Sequence, residues 1–404
     1  MDLIIFEDHY ADGFYPLSVS HPVFDLFYGC FNVVERYKKY FTSENVFLVC
    51  RDYLTDIARL KFSLPVNEDI IIKNDCLFIN AALKPDNKIF DELFTANDNT
   101  AFFDGDVLIG AKLSSDILNE ISLIELSEKA ITFPQNVARV DISAPCFKFL
   151  WDIINFNRQA IEDDLKLMPD FAPPTISPYS HIYGENVFLH PTAIVPEGVY
   201  IDASNGPVIV DESAVIEPRS LIQGPVYIGK ESKVLAGIIR EGCSLGPGCK
   251  IGGELEESII LGYSNKAHEG FIGHSYIGEW VNLGALTANS DLKNNYSEIT
   301  VRLQSADIPT GSIKVGCFIG DHTKTGIGTL LNTGMVIGFC CNVYGGALFT
   351  EKEIDHFKWG VPGNLVKFKL DKAIDIAQNV MSRRGMEFTQ VYKELFRIIS
   401  DLKR

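Results

Sequence analysis

The stretch Val210-Asp211-Glu212-Ser213-Ala214-Val215-Ile216-Glu217-Pro218-Arg219-Ser220-Leu221-Ile222-Gln223-Gly224-Pro225-Val226-Tyr227-Ile228-Gly229-Lys230-Glu231-Ser232-Lys233-Val234 sets an apolar anchor at every sixth position: Val210, Ile216, Ile222, Ile228 and Val234. A helix repeats its apolar face every ~3.6 residues and a half-buried strand every second residue, so neither produces this spacing. The period extends upstream through Ile182, Phe188, Ile194 and Tyr200. Downstream it runs through Leu245, Ile251, Ile277, Leu283, Ile319, Leu331, Ile337 and Val343, with Thr325 filling one step. Hexapeptides of this kind wind into triangular coils, and stacking the coils buries the anchors in one continuous core. The expected fold is a parallel β-helix. Gly follows many anchors, as in Ile228-Gly229, Leu245-Gly246, Ile251-Gly252 and Ile337-Gly338. These glycines are expected at tight corners where only a residue without Cβ turns cheaply.

The repeat occupies residues 179–349 and breaks between Thr287 and Ser312, where Asn289-Ser290-Asp291-Leu292-Lys293-Asn294-Asn295-Tyr296 is polar and turn-forming. Loops that leave a regular scaffold are where binding residues gather. Residues 350–404 are expected to turn helical, with one or two amphipathic helices between Lys372 and Leu402 capping the end of the coil. Residues 1–145 alternate short apolar runs (Leu3 to Phe6, Val46 to Val49, Ile70 to Ile72, Leu77 to Ile79) with helical patterns near 33–40 and 53–60. That alternation predicts an α/β, Rossmann-like domain with a largely parallel sheet. Residues 146–178 join the halves through a helix within Ala144 to Leu167 and the proline-rich run Met168 to Pro178.

Composition excludes several classes of partner. A formal charge of −17 argues against nucleic acid and anionic membranes, whose binding needs clustered Lys and Arg. The first residues are acidic where a signal peptide is basic, no apolar run approaches ~20 residues, and the nine cysteines are scattered. A cytoplasmic protein with reduced thiols is expected.

Chemistry concentrates in Ser264-Asn265-Lys266-Ala267-His268-Glu269-Gly270-Phe271-Ile272-Gly273-His274 and the following Ile277-Gly278-Glu279-Trp280-Val281-Asn282-Leu283-Gly284-Ala285. Acyl transfer to an amine needs a base of near-neutral pKa and a donor for the thioester oxyanion, which an imidazole and a backbone N–H can supply. This segment resembles the acetyltransferase site of the GlmU-like bifunctional family, which joins acetylation of glucosamine 1-phosphate to uridyl transfer. The resemblance implies a left-handed β-helix and a homotrimer with acetyl-CoA held between subunits. By the same resemblance His268 is the catalytic base, Asn282 belongs to the site, and the Ala285 N–H faces the acetyl carbonyl. Arg240, in Arg240-Glu241-Gly242, matches an arginine that grips the sugar phosphate. Two positions depart from the pattern. A phosphate-binding lysine of the family aligns near Ser258, and Phe271 stands where the family has tyrosine. Lys266, Lys293 and Lys314 are candidates for the missing cation, and Phe271 and Tyr296 join Arg240 and those lysines as candidate acceptor contacts. Ala285, Lys314, Asp321, Lys324 and Phe339 are candidate coenzyme A contacts.

The N-terminal half offers less. Nucleotidyltransferases that activate sugar phosphates cradle the triphosphate in a glycine-rich loop after the first strand. Here that place reads Glu7-Asp8-His9-Tyr10-Ala11-Asp12-Gly13, acidic and nearly free of glycine. Tyr15-Pro16-Leu17-Ser18-Val19-Ser20-His21-Pro22 is nonetheless similar to a Leu-Pro-Leu-Thr-x-x-Arg-Pro stretch of a divergent GlmU-like group, with His21 in place of Arg. Asn80 stands where a metal-binding Asp is expected, and Asp104 and Asp106 are candidate Mg²⁺ ligands, although a turn is the commoner use of Asp-Gly-Asp. The expectation is an acetyl-CoA-dependent amino-sugar phosphate N-acetyltransferase fused to a divergent sugar-1-phosphate nucleotidyltransferase domain. The alternative is an active UDP- or dTDP-sugar pyrophosphorylase using a nucleoside triphosphate and Mg²⁺, with the β-helix as a trimerising or regulatory module.

Overall fold

A computed structural model describes residues 1–402 except 42, 44, 68–69, 71–73, 119, 130, 132 and 169–180. The Pro-rich linker and most of the run expected at Ile70 to Ile72 lie outside the described residues. In the N-terminal domain the apolar runs become strands β1 (Asp2–Phe6), β2 (Val46–Val49) and β3 (Cys76–Asn80), joined by helices α1 (Val33–Tyr40) and α2 (Thr55–Phe62). α3 (Asn87–Thr95) leads into β4 (Thr100–Asp104), β5 (Val107–Leu113) and β6 (Ala138–Asp141). The sheet runs β2-β1-β3-β5-β4-β6. β1 pairs in parallel with β2 and β3, whereas the β4–β5 hairpin makes the far half mixed. The largely parallel expectation therefore holds for half the sheet. α1 starts on a reciprocal cap, Asn32 accepting from the Glu35 N–H and Glu35 from the Asn32 N–H. The joining helix α4 (Leu150–Leu165) begins six residues later than Ala144.

Beyond the linker, short strands stack in parallel ladders, the largest having nine strands among the described residues. Register follows the anchors: Val210 lies on Ile228 and Ile228 on Leu245, while on another face Ile216 lies on Val234 and Val234 on Ile251. The glycines after the anchors serve a different purpose from the one expected. Gly229, Gly246, Gly252 and Gly338 do not have left-handed φ; that conformation belongs to non-glycine corner residues such as Glu231 (φ 59°), Trp280 (60°), His322 (58°) and Cys340 (53°). What the glycines provide is close approach between coils. A Cβ on Gly252 would come within 2.5 Å of the Ala267 carbonyl oxygen, and one on Gly338 within 2.6 Å of the His356 nitrogen. A ladder of buried hydroxyls ties the same corners together. Ser232, Ser264 and Thr323 each donate to a carbonyl of the next coil (Gly246, Gly278, Gly338) and accept from the N–H of Cys249, Val281 and Cys341.

On the nine-stranded face most of the residues between inward anchors are apolar too. Ile209, Tyr227, Ile259, Tyr276, Phe318 and Val336 point outward into one core shared with the N-terminal domain, α4 and the C-terminal helices. Polar bonds fix this junction. Tyr276 Oη accepts from the Phe27 N–H (3.0 Å) and donates to the Phe27 carbonyl (2.7 Å), and Ser244 donates to Gly29.

The coil continues past residue 349, through Glu353–Ile354 to Lys358–Val361, and Asn364–Lys367 then folds back antiparallel on its last edge. Two helices follow, α5 (Leu370–Ser382) and α6 (Gln390–Asp401). They do not cap the end as expected. α6 lies on the flank, with Phe396 packed on His322, Phe339 and Phe357. None of the described helices is long and apolar enough to cross a membrane.

Candidate active site

Where successive coils turn one corner, the outward side chains Lys250, Asn265, Asn282 and Lys324 stand one above another, linked by parallel pairing. The corner loops beyond Asn265 and Asn282 bring His268 and Ala285 alongside this column. The C-terminal end of α5 leans in from the flank with Val380, Arg383 and Arg384. Together they bound a groove of about 690 Å³.

His268 is exposed at the groove, and its ring has no bonded partner among the described residues. The backbone at Ala285 is unusual for its surroundings. The Gly284 N–H donates to Thr325 Oγ1 (3.0 Å) and the Leu286 N–H to the Glu269 carbonyl (2.8 Å), yet among the described residues the Ala285 N–H has no acceptor. A free N–H lining a concave site is available to a developing oxyanion. Asn282 is exposed on the groove wall, its Oδ1 3.4 Å from Asn265 Nδ2.

Lys266 is corrected by the geometry. It pairs with Ile251 at an inward anchor position, is 1% exposed, and donates its ammonium to the His268 carbonyl, so it cannot reach a substrate phosphate. Burial pulls this ammonium down to about 8. Ser258, aligned with the family's lysine, is likewise a buried corner hydroxyl accepting from the Ser275 N–H.

Lys324, expected as a coenzyme A contact, does line the groove, but donates to the carbonyls of Trp280 (2.6 Å) and His322 (3.0 Å). Burial holds it near 8 as well. Trp280 stacks on Tyr263 with centroids 4.5 Å apart, which makes a flat aromatic wall. Behind it His322 is buried and, through burial and the nearby Lys324, held down to about 3, which keeps it neutral.

Two expected coenzyme A contacts are displaced. Phe339 is buried against His322, Phe357 and Phe396. Asp321 faces the N-terminal domain, where its oxygens accept from Ser20 Oγ (2.8 Å), His21 Nε2 (2.7 Å) and the Glu279 N–H (2.7 Å). Burial alone would raise its carboxyl, but His21 and Lys61 bring it down to about 2. Arg240 is not brought to the groove. It bonds Glu254 Oε1 (2.5 Å) and Gln223 Oε1 (3.2 Å) on another face of the helix. Phe271 is half-buried on that face, and Lys314 there pairs with Glu256 (3.2 Å). Lys293 donates to the Glu298 carbonyl (2.6 Å) inside the insertion, whose Tyr296 is 67% exposed. His274 pairs with Asp291 at 2.8 Å, away from the groove.

Lys250, Tyr263, Asn265, Trp280, Arg383 and Arg384 line the groove without having been marked as site residues by the sequence. The first four stand within the repeat that was read, Lys250 and Asn265 at outward positions beside the anchors and Tyr263 and Trp280 at left-handed corners. The arginines lie just past the end of α5, more than a hundred residues later, and only tertiary packing brings them in.

In the N-terminal domain the acidic segment after β1 folds inward. Buried Glu7 accepts from the Val23 N–H (2.9 Å) and pairs with Arg51 (2.9 Å), while Asp8, its carboxyl raised by burial, accepts from Asn80 Nδ2 (2.8 Å). A cavity of about 520 Å³ opens beside Asp8 and Asp12, and the hairpin formed by Thr300–Leu303 and Ala306–Pro309 of the insertion covers it with Leu303 and Ile308. Asp104 and Asp106 are exposed at the β4–β5 turn, Asp104 already accepts from the Ala144 N–H (3.0 Å), and no cluster of three metal-ligating side chains occurs among the described residues.

Residues 3–170 match the family model described as sugar nucleotidyl transferase. A bifunctional sugar-1-phosphate nucleotidylyltransferase/acetyltransferase from Sulfurisphaera tokodaii is 32% identical over 249 residues, 59% of this chain and 57% of that relative. The match thus spans little over half of that relative's length. A bifunctional protein GlmU from Methanococcus vannielii is 24% identical over 324 residues, covering 75% of this chain and 69% of that protein. An uncharacterized acetyltransferase, YaiX, from Escherichia coli is 30% identical over 146 residues, 35% of this chain and 64% of that protein. The polysialic-acid-specific acetyltransferase NeuO superposes over 52% of this chain and 98% of its own at a TM-score of 0.30 and 14% identity, a likeness too loose to argue from. Residues 3–170 are thus similar to the sugar nucleotidyl transferase family, on a chain similar over much of its length to bifunctional nucleotidylyltransferase/acetyltransferases.

Proposed function

We propose that the protein transfers an acyl group from a coenzyme A thioester to the amine of a sugar phosphate, in the groove that holds His268 and Ala285. The observation that carries this reading is the meeting of an exposed imidazole with a backbone N–H left without an acceptor, in one concave site. His268 takes the proton from the amine as nitrogen attacks the thioester carbon. The Ala285 N–H holds the oxyanion, and collapse expels the coenzyme A thiolate, which is reprotonated. Asn282 is exposed on the groove wall; in this reading it accepts from or donates to the acceptor's hydroxyls. Acetyl-CoA is the donor proposed, in the cytoplasm, and assembly is proposed as a homotrimer, which would set a second subunit against the groove. Thiol release from acetyl-CoA, followed across a panel of amino-sugar phosphates, tests the activity; release that depends on one acceptor supports it, and silence across the panel contradicts it.

Nucleotidyl transfer by the N-terminal domain is favoured by the family match at residues 3–170 and opposed by the inward-folded Glu7 and Asp8. Pyrophosphate release by the full chain from UTP or dTTP with Mg²⁺ and sugar phosphates decides it.

A further inference from the structure

The groove is cationic in an acidic protein. The chain carries 53 acidic and 36 basic residues. The groove's lining nevertheless includes Lys250, Lys324, Arg383 and Arg384 and neither Asp nor Glu. Charge of one sign gathered in a concave wall concentrates ligands of the opposite sign. Lys324 is spent on two backbone carbonyls. Lys250, Arg383 and Arg384 form no salt bridge among the described residues. Lys250 is held below the ordinary lysine range by Arg384 first, then by partial burial and by Lys233 and Arg383, which reports like charges facing one another without a counter-charge. Arg384 is aimed rather than loose, because its Nη2 donates to Asn265 Oδ1 (2.9 Å), the neighbour of Asn282 in the outward column. The four cations first expected to hold a substrate phosphate are all occupied elsewhere: Arg240 by Glu254, Lys266 inside the coil, Lys293 by a carbonyl and Lys314 by Glu256.

We infer that Lys250, Arg383 and Arg384 form a phosphate clamp in which the end of α5 completes the transfer groove and fixes a phosphomonoester or diphosphate of one of the two substrates beside His268. Guanidinium forks match phosphate oxygens in pairs, and the lysine adds a point charge. The inference rests on the acyl-transfer reading. The phosphate belongs either to coenzyme A or to the sugar acceptor, and the test separates them.

Calorimetric titration of the full chain with pyrophosphate, coenzyme A, pantetheine, an amino-sugar phosphate and the unphosphorylated amino sugar would be compared among wild type, K250Q and R383Q/R384Q. Lys250 lies on a coil strand, so K250Q leaves α5 untouched and guards against misfolding of the double variant. Both variants are expected to weaken pyrophosphate and one phosphorylated substrate about tenfold to a hundredfold, with the phosphate-free counterpart unaffected. Weakened coenzyme A with unaltered pantetheine assigns the clamp to the donor; weakened sugar phosphate with unaltered amino sugar assigns it to the acceptor. Unchanged binding of pyrophosphate and of both phosphorylated substrates overturns the clamp. Failure of the acyl-transfer reading would look different: wild type would turn over no acyl-CoA although pyrophosphate binding still depended on the three cations.

Discussion

Lys266 occupies an inward position that its neighbours in the stack fill with Ile251 and Leu283. A cation there is costly unless its ammonium finds a partner, and the His268 carbonyl is that partner. The lysine therefore holds the corner that presents the imidazole, without itself touching a ligand. Replacing it with methionine removes the buried charge at similar volume, so K266M should melt at pH 7 no lower than wild type while acyl transfer falls through a lower kcat. The pH dependence has a definite sign. Because the folded ammonium titrates near 8, below the ordinary 10.5, wild type gains stability as pH rises from about 8 to 10.5. K266M should lack that gain, and thermal melts across this range would show it; parallel curves for the two proteins would refute the buried placement.

At the scale of the element, the glycines that follow the anchors hold the coils together through close approach, not through special dihedrals. G252A places a methyl group 2.5 Å from the Ala267 carbonyl, one residue before His268. Backbone against backbone cannot yield as a flexible side chain can, so a stability loss of about 1–3 kcal/mol is expected in denaturant titration; a loss below ~0.5 kcal/mol would mean that the coils are not so tightly spaced. The six-residue period was legible because each anchor is buried by the coils above and below it, a local rule repeated many times. The wall of the groove was less legible, because Lys250 and Asn265 take outward positions that the period leaves free, and Asn282 was marked only by the family resemblance. A further signal went unread. Triplets such as Val208-Ile209-Val210, Val226-Tyr227-Ile228 and Cys317-Phe318-Ile319 are apolar on both faces, which is what a sheet covered on both sides requires.

At the scale of the molecule, that covered face joins the N-terminal domain to the β-helix in a shared core, and a buried charge network locks the joint. His21 bridges Asp25 Oδ2 (2.6 Å) and Asp321 Oδ2 (2.7 Å), and Lys61 bridges Asp25 (2.7 Å) and Glu279 (3.0 Å). Burial alone would lower the imidazole, yet Asp321 and Asp25 raise it to about 10 against an ordinary 6.5. A raised pKa contributes stability fully below pH 6.5 and loses it as pH climbs through 10. The stability gap between wild type and H21N should therefore be widest near pH 6 and shrink toward pH 10. Lys266 and Lys324 titrate alike in both proteins and cancel from the difference. A gap independent of pH would show that His21 is not held charged. No motif in the sequence could reveal this joint, since His21 and Asp321 are 300 residues apart and meet only through tertiary packing. Glu279, which closes the network, adjoins Trp280 in the groove wall, so the N-terminal domain also braces the site.

In the proposed reaction His268 is the base that draws the proton from the acceptor amine. The direct measurement is single-turnover acyl transfer by H268A alongside its affinity for acetyl-CoA. Loss of transfer by about 10²–10⁴-fold, with acetyl-CoA binding and melting temperature kept, is predicted. Transfer at the wild-type rate would contradict the account.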